Sequence, residues 1–210
     1  MTKKEQGFTL IELLVVISIM SLLSSVVFAS LQTARNKAYA AAILLNYNAV
    51  KQATAAWQLD TNNTLLPYQG DFPVSNYCGS AGAAPWLSNT HLYTTAYTSG
   101  NYNRGWTGPY LSAVPRTPFG LEYLYDNDWD HRTKSGTQSG GANLLVVWCT
   151  AGEKTKGVAI AEELDRRIDR NDGDSAGAVR WNPGTTVGKL WLFLDPNDEC
   201  LKYPATLVCP

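Results

Sequence analysis

The sequence predicts an α+β protein in which one long N-terminal helix packs on a small antiparallel β-sheet. Residues 8–60 contain neither glycine nor proline and are apolar or rich in alanine, which is typical of an uninterrupted helix. Later parts of the chain hold short apolar runs separated by turns rich in glycine and serine, as expected for strands. A helix followed by strands indicates segregated α and β elements.

The composition fits one domain of ordinary size plus a membrane segment. The chain has 210 residues and a formal net charge of −1, so no overall positive field attracts nucleic acid. Charged residues make up only 17% of the chain and aromatic residues reach 11%. This balance suits a secreted protein better than a cytosolic enzyme.

Residues 8–31 form the membrane-spanning half of the predicted helix. At about 1.5 Å per residue they can cross a hydrocarbon core of about 30 Å, and Glu12 is their only charged residue. Lys3 and Lys4 precede this segment, which predicts a single pass with the N-terminus in the cytoplasm. A secretory signal peptide fits poorly, because the small residue Gly7 precedes the apolar run instead of following it.

Residues 32–60 continue the helix beyond the membrane with two apolar faces. Such a long helix, about 50 residues in all, needs a membrane or an assembly to bury it. One face can carry a globular domain and the other can meet neighbouring subunits; the alternative is that both are core, as we expect for Val50 and Trp57. The bulky face comprises Ile43, Tyr47, Val50 and Trp57, and the small face comprises Leu31, Ala34, Ala38, Ala42, Leu45, Ala49 and Ala56.

Residues 61–210 are predicted to form a globular β domain. The chain up to about Gly108 is an irregular connector rich in Gly, Ser, Asn and Tyr. Its aromatic side chains either pack the connector onto the sheet, which we favour, or form a surface that binds sugars. Three or four antiparallel strands follow at Leu121 to Asp126, Leu144 to Cys149, Ala178 to Trp181 and Lys189 to Asp195.

The four cysteines favour two disulfides over a metal site. None forms a C-x-x-C pair and both histidines are isolated, so zinc is not expected. Cys200 and Cys209 could close a small C-terminal loop, and Cys78 would then pair with Cys149 in a central strand. Three connectivities are possible, and free buried thiols are the alternative.

A helix predicted over Ile160 to Ile168 runs into an acidic segment around a glycine turn. Clustered oxygen ligands of this kind suit calcium, the one candidate cofactor. The alternative is an Asx/Gly turn that ends the helix, with Arg166, Arg167 and Arg170 neutralising the acids. The candidate calcium ligands are Asp169, Asn171, Asp172 and Asp174.

Nothing in the sequence indicates an enzyme. The chain lacks G-x-S-x-G, P-loop and G-x-G-x-x-G motifs. His91 and His131 lie in polar segments without a neighbouring nucleophile in a recognisable pattern. We therefore expect no catalytic residues.

The opening residues resemble the prepilin leader of type IV pilins and type II secretion pseudopilins, which Gly7-Phe8-Thr9-Leu10-Ile11-Glu12 matches without a gap. The resemblance implies a type IV pilin-like fold and a leader of residues 1–7. It also implies that prepilin peptidase cuts between Gly7 and Phe8 and N-methylates Phe8, and that Thr9 and Glu12 serve assembly. Removing seven residues from 210 leaves a mature chain of 203 residues.

Two further segments resemble different branches of this superfamily. The segment from Gly108-Pro109-Tyr110-Leu111 to Gly120 looks like the entry to the sheet of major pseudopilins, and paired Cys200 and Cys209 resemble the terminal loop of type IV pilins. Both imply a structural subunit of a helical filament, anchored in the bacterial inner membrane before assembly and periplasmic or at the cell surface afterwards. The implied partners are other copies of the chain, prepilin peptidase, the inner-membrane assembly platform, and minor pilins or pseudopilins. The alternative is a low-copy minor pilin or tip adhesin whose aromatic-rich loop binds carbohydrate, a surface or DNA.

Glu12 has a physical role in this interpretation. A carboxylate inside a bilayer is costly unless it is paired or near an interface. Cleavage after Gly7 creates an α-amino group on Phe8, about one helical turn away. We hypothesise that Glu12 pairs with the Phe8 amine of a neighbouring subunit and sets the register of the filament; the alternative is that Glu12 reaches the lipid headgroups.

Overall fold

A computed structural model shows the long helix and an antiparallel sheet. It describes residues 8–62, 75–78, 80–82, 87, 92, 105–113, 115–126, 143–175, 177–184 and 187–194. In chain order the elements are α1 (Leu10–Thr61), β1 (Ser75–Tyr77), β2 (Ser80–Gly82), β3 (Leu124–Asp126), β4 (Asn143–Trp148), α2 (Ala151–Ile168), β5 (Val179–Asn182) and β6 (Gly188–Phe193).

Helix α1 is continuous over 52 residues, as the sequence predicts. At the standard rise it is about 78 Å long. It ends at Asn62, whose φ of 52° places it in the left-handed region that commonly closes a helix. The two halves differ in surroundings: the first half is exposed, and burial begins near Ala40.

The bulky face of the second half of α1 is core, and its small face is exposed. Ile43, Tyr47, Val50 and Trp57 are all buried, which confirms the predicted contact with the globular domain. Leu31 and all the other members of the small face remain exposed. Only one of the two predicted packing surfaces is therefore used within the monomer.

The main sheet has four antiparallel strands in the order β3-β4-β6-β5. Strand β4 is central and buried along its whole length, as its nearly continuous apolar sequence predicts. Strands β4, β5 and β6 lie within one or two residues of their predicted bounds.

Strand β3 is shorter than the predicted segment from Leu121 to Asp126. A tight turn occupies the residues before it: Thr117 donates from its backbone N–H to the Leu121 carbonyl at 2.8 Å. Gly120 has a φ of 83°, a conformation that favours glycine. The turn holds Leu121 out of the ladder, so regular pairing begins at Leu124, opposite Leu145.

Helix α2 is twice as long as the predicted segment from Ile160 to Ile168. It begins at Ala151, after Thr150, in a capping box with Glu153. Gly152 and Gly157 make the first half of α2 difficult to predict from the sequence, because glycine usually weakens a helix. Gly157 is required here because a Cβ would lie 2.6 Å from the buried ring of Trp148.

The sheet separates a large core from a smaller one. On one face α1 and α2 pack together with side chains such as Tyr125, Val146 and Trp148. The Tyr47 hydroxyl crosses this core and donates to the Phe193 carbonyl at 2.5 Å. On the other face Leu124, Leu145 and Val147 form a small cluster that includes both Cys78 and Cys149.

The described parts of the connector are fastened to the rest of the fold. A short hairpin of β1 and β2, which the sequence analysis missed, precedes the buried residues Leu87 and Leu92. Leu87 donates from its N–H to the Tyr123 carbonyl at 2.8 Å. Trp106 and Tyr110 pack against the large core in an edge-to-face pair with ring centroids 5.9 Å apart.

Candidate functional site

The start of α1 is fixed by a reciprocal cap between Thr9 and Glu12. The Thr9 hydroxyl oxygen accepts from the Glu12 N–H at 3.3 Å, and the Glu12 Oε2 atom accepts from the Thr9 N–H at 2.8 Å. The Thr9 hydroxyl also donates to Oε2 at 2.8 Å. These bonds satisfy donors that an α-helix leaves free at its N-terminus, and they place a negative charge where the helix dipole favours it.

The cap leaves one Glu12 oxygen available. Among the residues that the structure describes, Oε1 accepts no hydrogen bond, because all the bonds to this carboxylate use Oε2. The side chain is exposed. Glu12 can therefore keep its helix cap and still offer Oε1 to an external cation.

The bond predicted to be cut lies just before the helix. Phe8 precedes the cap and is 91% exposed, and Thr9 has the extended conformation of an N-cap residue, with φ −79° and ψ 152°. Gly7 lies outside the described residues. Phe8 and Thr9 thus lie outside the helix, and the Phe8 side chain is accessible.

The first half of α1 presents apolar side chains on all sides. Its most apolar 18-residue window has a mean hydropathy of 2.5 and is 0% buried within the monomer. By length and composition the helix can cross a membrane. Exposed apolar surface of this extent requires lipid or other protein around it.

Four serine hydroxyls within this half donate to carbonyls of the helix itself, a detail that the sequence analysis missed. The hydroxyls of Ser18 and Ser21 donate to the Leu14 and Ile17 carbonyls at 2.8 and 2.7 Å. Ser25 and Ser30 make equivalent bonds one turn back. In hydrocarbon, where water cannot substitute, such internal bonds keep the polar groups paired. Hydrophobic periodicity alone could not reveal them.

The structure joins Cys78 and Cys149 in a disulfide. Their Cα atoms are 5.0 Å apart, and the bond spans 71 residues of sequence. Cys149 directly follows the central strand β4, and Cys78 belongs to the β1–β2 hairpin. The pair therefore ties the connector to the centre of the sheet. The other two candidates, Cys200 and Cys209, lie outside the described residues.

Three carboxylates meet at the C-terminal end of α2. One oxygen from each of Asp165, Asp169 and Asp172 lies within 4.8 Å of the other two. Asp165 was not among the candidate ligands predicted from the sequence. Its spacing of four residues from Asp169 could have identified it, since such a pair shares one helix face. Asp174 is not a member of this group of carboxylates.

The environment of the cluster disfavours charge on two of its members. Burial raises the pKa of Asp165, and the neighbouring Asp172 and Asp169 carboxylates raise it further, against a Gly173 N–H bond that lowers it. Burial also raises the pKa of Asp169, although the N–H groups of Ala178 and Val179 and the Arg180 guanidinium act in the opposite direction. Desolvation is the largest effect on the pKa at both groups, and repulsion from the neighbouring carboxylates adds to it.

Fold and site together define a class of protein. Its N-terminal helix begins at a cap with a charged residue and has an exposed apolar first half, and its second half packs into an α+β domain that contains a disulfide. A family model described as the prokaryotic N-terminal methylation motif matches residues 2–28. Type II secretion system core protein G of Escherichia coli (strain K12) is 28% identical over 131 residues, which cover 62% of this chain and 77% of that protein. No solved structure matches the chain. The two matches support assigning this chain to the superfamily of type IV pilins and type II secretion pseudopilins.

Proposed function

We propose that this chain is a structural subunit of a helical filament assembled from the bacterial inner membrane, and that the filament is a type II secretion pseudopilus. One observation carries the proposal: the first half of α1 is apolar and wholly exposed, while the second half is built into the globular domain. Such a helix needs lipid around it before assembly and the helices of other copies afterwards. The likeness to a protein named as a type II secretion component favours the pseudopilus.

Processing precedes assembly in this proposal. Prepilin peptidase cuts between Gly7 and Phe8, and the new N-terminus of Phe8 is methylated. The match to the N-terminal methylation motif supports this step, as does the exposed position of Phe8 ahead of the first helical turn. The product keeps the entire apolar half of α1 and so stays in the membrane.

Replacing Gly7 with valine tests the processing step. A glycine lets the backbone enter a narrow protease site, and a branched side chain there obstructs it. We expect Gly7→Val to accumulate a precursor longer by seven residues, resolved from the mature chain by gel mobility. Gln6→Val adds the same side chain one residue away and should be cut normally. Normal cutting of Gly7→Val would contradict the assigned cleavage site.

Glu12 then pairs with the Phe8 amine of an adjacent copy. Cutting creates this cation, and the Oε1 atom of Glu12 is available to accept from it without loss of the helix cap. A buried carboxylate that can pair with a cation at only one position along the adjacent helix fixes the axial stagger between two subunits. The carboxylate thereby specifies register, and the apolar contacts supply most of the association free energy.

Two substitutions separate the charge of Glu12 from its role in the cap. A glutamine at this position keeps an acceptor oxygen for the Thr9 N–H but carries no charge, whereas alanine removes both. We expect Glu12→Gln and Glu12→Ala to be cut and membrane-anchored like the wild type and to yield no sheared filaments. As a control, Glu162→Gln removes the charge of an exposed carboxylate on α2, and this variant should assemble normally. Wild-type amounts of filament from Glu12→Gln would rule out the charge pair.

A tip adhesin is the second candidate, but the described aromatic residues of the connector do not favour it. Trp106 and Tyr110 are partly buried against the core. The Tyr110 hydroxyl donates to Asp60 of α1 at 3.0 Å, and the Thr107 hydroxyl donates to the same carboxylate. These side chains fasten the connector to the helix end, which supports a structural role.

Deleting the gene for this chain in its native organism distinguishes a type II secretion pseudopilus from a type IV pilus. For a pseudopilus we expect loss of secreted enzymes from the medium, with surface pili unchanged. Partners in that case are other pseudopilins and the inner-membrane assembly platform. Loss of surface pili with normal secretion would instead identify a type IV pilin.

A further inference from the structure

We propose that two copies of this chain pair in the membrane as a parallel, in-register dimer along one exposed stripe of α1. The stripe lies on the second half of the helix, away from the face that packs into the core. This pairing rests on the membrane anchorage of the proposed function and is independent of the filament. We call these residues the heptad stripe, because they alternate between positions d and a of a seven-residue repeat, and all of them are exposed: Ala38, Ala42, Leu45, Ala49, Gln52, Ala56 and Leu59.

Exposed leucines identify the stripe. Beyond Phe28, the large apolar side chains that the described helix exposes are Leu31, Leu45 and Leu59, with exposed fractions of 42%, 71% and 83%. Positions 31, 45 and 59 are 14 residues apart, which is two heptads, so the three leucines share position d. Apolar residues at a seven-residue period let two helices pack along their length, and leucine at d is typical of parallel two-stranded coiled coils.

Alanines alternate with these leucines at position a of the repeat. Ala42, Ala49 and Ala56 are exposed, and their small side chains let the backbones of two helices approach closely. Each leucine of one copy then has a hole to fill on the other. The stripe therefore has the shape that a second helix of the same sequence requires.

A groove beside the stripe has room for the edge of the second helix. It lies between α1 and residues 110–113 of the connector, and its volume of about 530 Å³ is far more than one side chain fills. Asn46 and Ala53, at position e, belong to its lining. In a parallel pair, position e faces position g of the other helix. The g residues along this part of α1 are the small Asn48 and Ala55, which the groove can receive.

The connector wall of the groove is formed within the monomer. The Tyr110 hydroxyl donates to Asp60 at 3.0 Å, and the Tyr110 N–H donates to the Leu92 carbonyl at 2.9 Å. Leu111 is buried in the large core. A surface that is already ordered loses little conformational entropy when a partner binds.

The charges of α1 are placed so that they do not oppose pairing. Between Ala38 and Leu59, no charged residue occupies positions a, d, e or g, so like charges do not meet across the interface. Lys37 and Lys51 are both at position c, which faces away from the stripe. Arg35 is at position a, but it lies next to the membrane segment, where its long side chain can reach the headgroups.

The membrane sets the direction of the two helices, and Gln52 sets their register. All copies insert with the same end in the cytoplasm, so their helices are parallel. Gln52 is the polar member of the stripe. In register it meets Gln52 of the other copy, and two amides can pair donor to acceptor. A shift of one heptad would place each amide against leucine and leave it unpaired in the interface.

The pair is closed, because both copies use the same surface about a two-fold axis and a third copy finds that surface covered. It therefore differs from the proposed filament, in which Glu12 and the Phe8 amine join staggered copies. The dimer is a membrane-resident form of the chain that keeps the heptad stripe covered before assembly.

Cross-linking between identical positions tests the pairing. The full chain would be expressed in a bacterium without filament-assembly machinery, so that a dimer in its membranes cannot come from a filament. Leu45→Cys and Ala56→Cys should each give a disulfide-linked dimer on mild oxidation, seen on a non-reducing gel. We expect at least about tenfold more dimer than from Lys51→Cys, because cysteines whose Cα atoms are more than about 7 Å apart cannot be joined. Lys51 is exposed on the same helix, and the native cysteines are the same in all three variants.

A charge on the stripe provides a second test. Leu45→Glu in the Ala56→Cys chain should reduce the dimer at least about tenfold, because two carboxylates would be buried against each other. Leu45 is 71% exposed in the monomer, so the fold should be kept, as checked by near-UV circular dichroism. Lys51→Glu in the same Ala56→Cys chain is the control and should cross-link like its parent.

Equal amounts of dimer from the stripe variants and from Lys51→Cys would overturn the pairing, as would a dimer that Leu45→Glu does not weaken. Cross-links that form between co-expressed Leu45→Cys and Leu59→Cys chains, but not between identical positions, would overturn the in-register arrangement. Cross-linked dimers from a chain that forms no filaments in its native organism would contradict the filament alone. Filaments from a chain that gives no such dimers would contradict the dimer alone.

Discussion

At the scale of single residues, the packing of Trp148 shows how strongly one side chain constrains its neighbours. The indole is fully buried between α2 and β6. A Cβ on Gly157 would approach its ring atoms to 2.6 Å, and one on Gly188 would approach its Nε1 atom to 1.9 Å. Both glycines are therefore dictated by the tryptophan: Gly157 leaves room for the ring against α2, and Gly188 leaves room for it against β6.

Alanine substitutions at two glycines of α2 test this packing. Gly157→Ala should lower the free energy of unfolding by about 1–3 kcal/mol, since the buried ring cannot move aside. Gly152→Ala lies in open space, with its nearest neighbour at 4.0 Å, and should be neutral or stabilise by up to about 1 kcal/mol through helix propensity. Thermal unfolding followed by near-UV circular dichroism measures both. Equal effects of the two substitutions would contradict the role of Trp148.

At the scale of elements, the connector and the sheet depend on each other through the Cys78–Cys149 disulfide. The β1–β2 hairpin has three residues in each strand and is too short to be stable alone. The bond places it against the small cluster of Leu124, Leu145 and Val147 on the outer face of the sheet. The disulfide thus holds the hairpin on this face of the sheet, where the hydrophobic cluster is small.

Removing both cysteines of this pair measures the contribution of the bond. The double variant Cys78→Ala/Cys149→Ala should lose about 2–4 kcal/mol of stability, because a loop of 71 residues is no longer constrained in the unfolded chain. Urea unfolding of the oxidised proteins gives the difference, and Cys200 and Cys209 are the same in both. A loss below about 0.5 kcal/mol would show that the hairpin is held by other contacts.

At the scale of the whole molecule, the two halves of α1 have different roles. Its second half gives the bulky face of Ile43, Tyr47, Val50 and Trp57 to the core, and its first half remains available to lipid or to other copies. The small face of the second half is exposed and continuous with that first half. The exposed apolar surface of α1 consequently requires lipid or other protein around it.

Much of this architecture could be predicted from the sequence because its signals are local. An uninterrupted apolar run predicts α1, and the apolar run at Leu144 predicts the central strand β4. The start of α2 has a local signal in the capping-box pattern of Thr150 and Glu153. Gly157 weakens that signal, because the need for a glycine there comes from Trp148, a tertiary contact that the local sequence does not show. The spacing of four residues between Asp165 and Asp169 is a local signal, but the position of Asp172 beside them depends on the left-handed turn at Arg170 and Asn171, which the sequence does not reveal.

The N-terminus of the chain in isolated filaments tests the central claim most directly. Filaments sheared from cells that express the full sequence would be purified and their subunit mass determined by intact-mass spectrometry. We predict a chain that begins at Phe8, lacks the first seven residues and carries one added methyl group. A filament subunit that retains the leader, or a processed chain that never enters the filament fraction, would contradict the account.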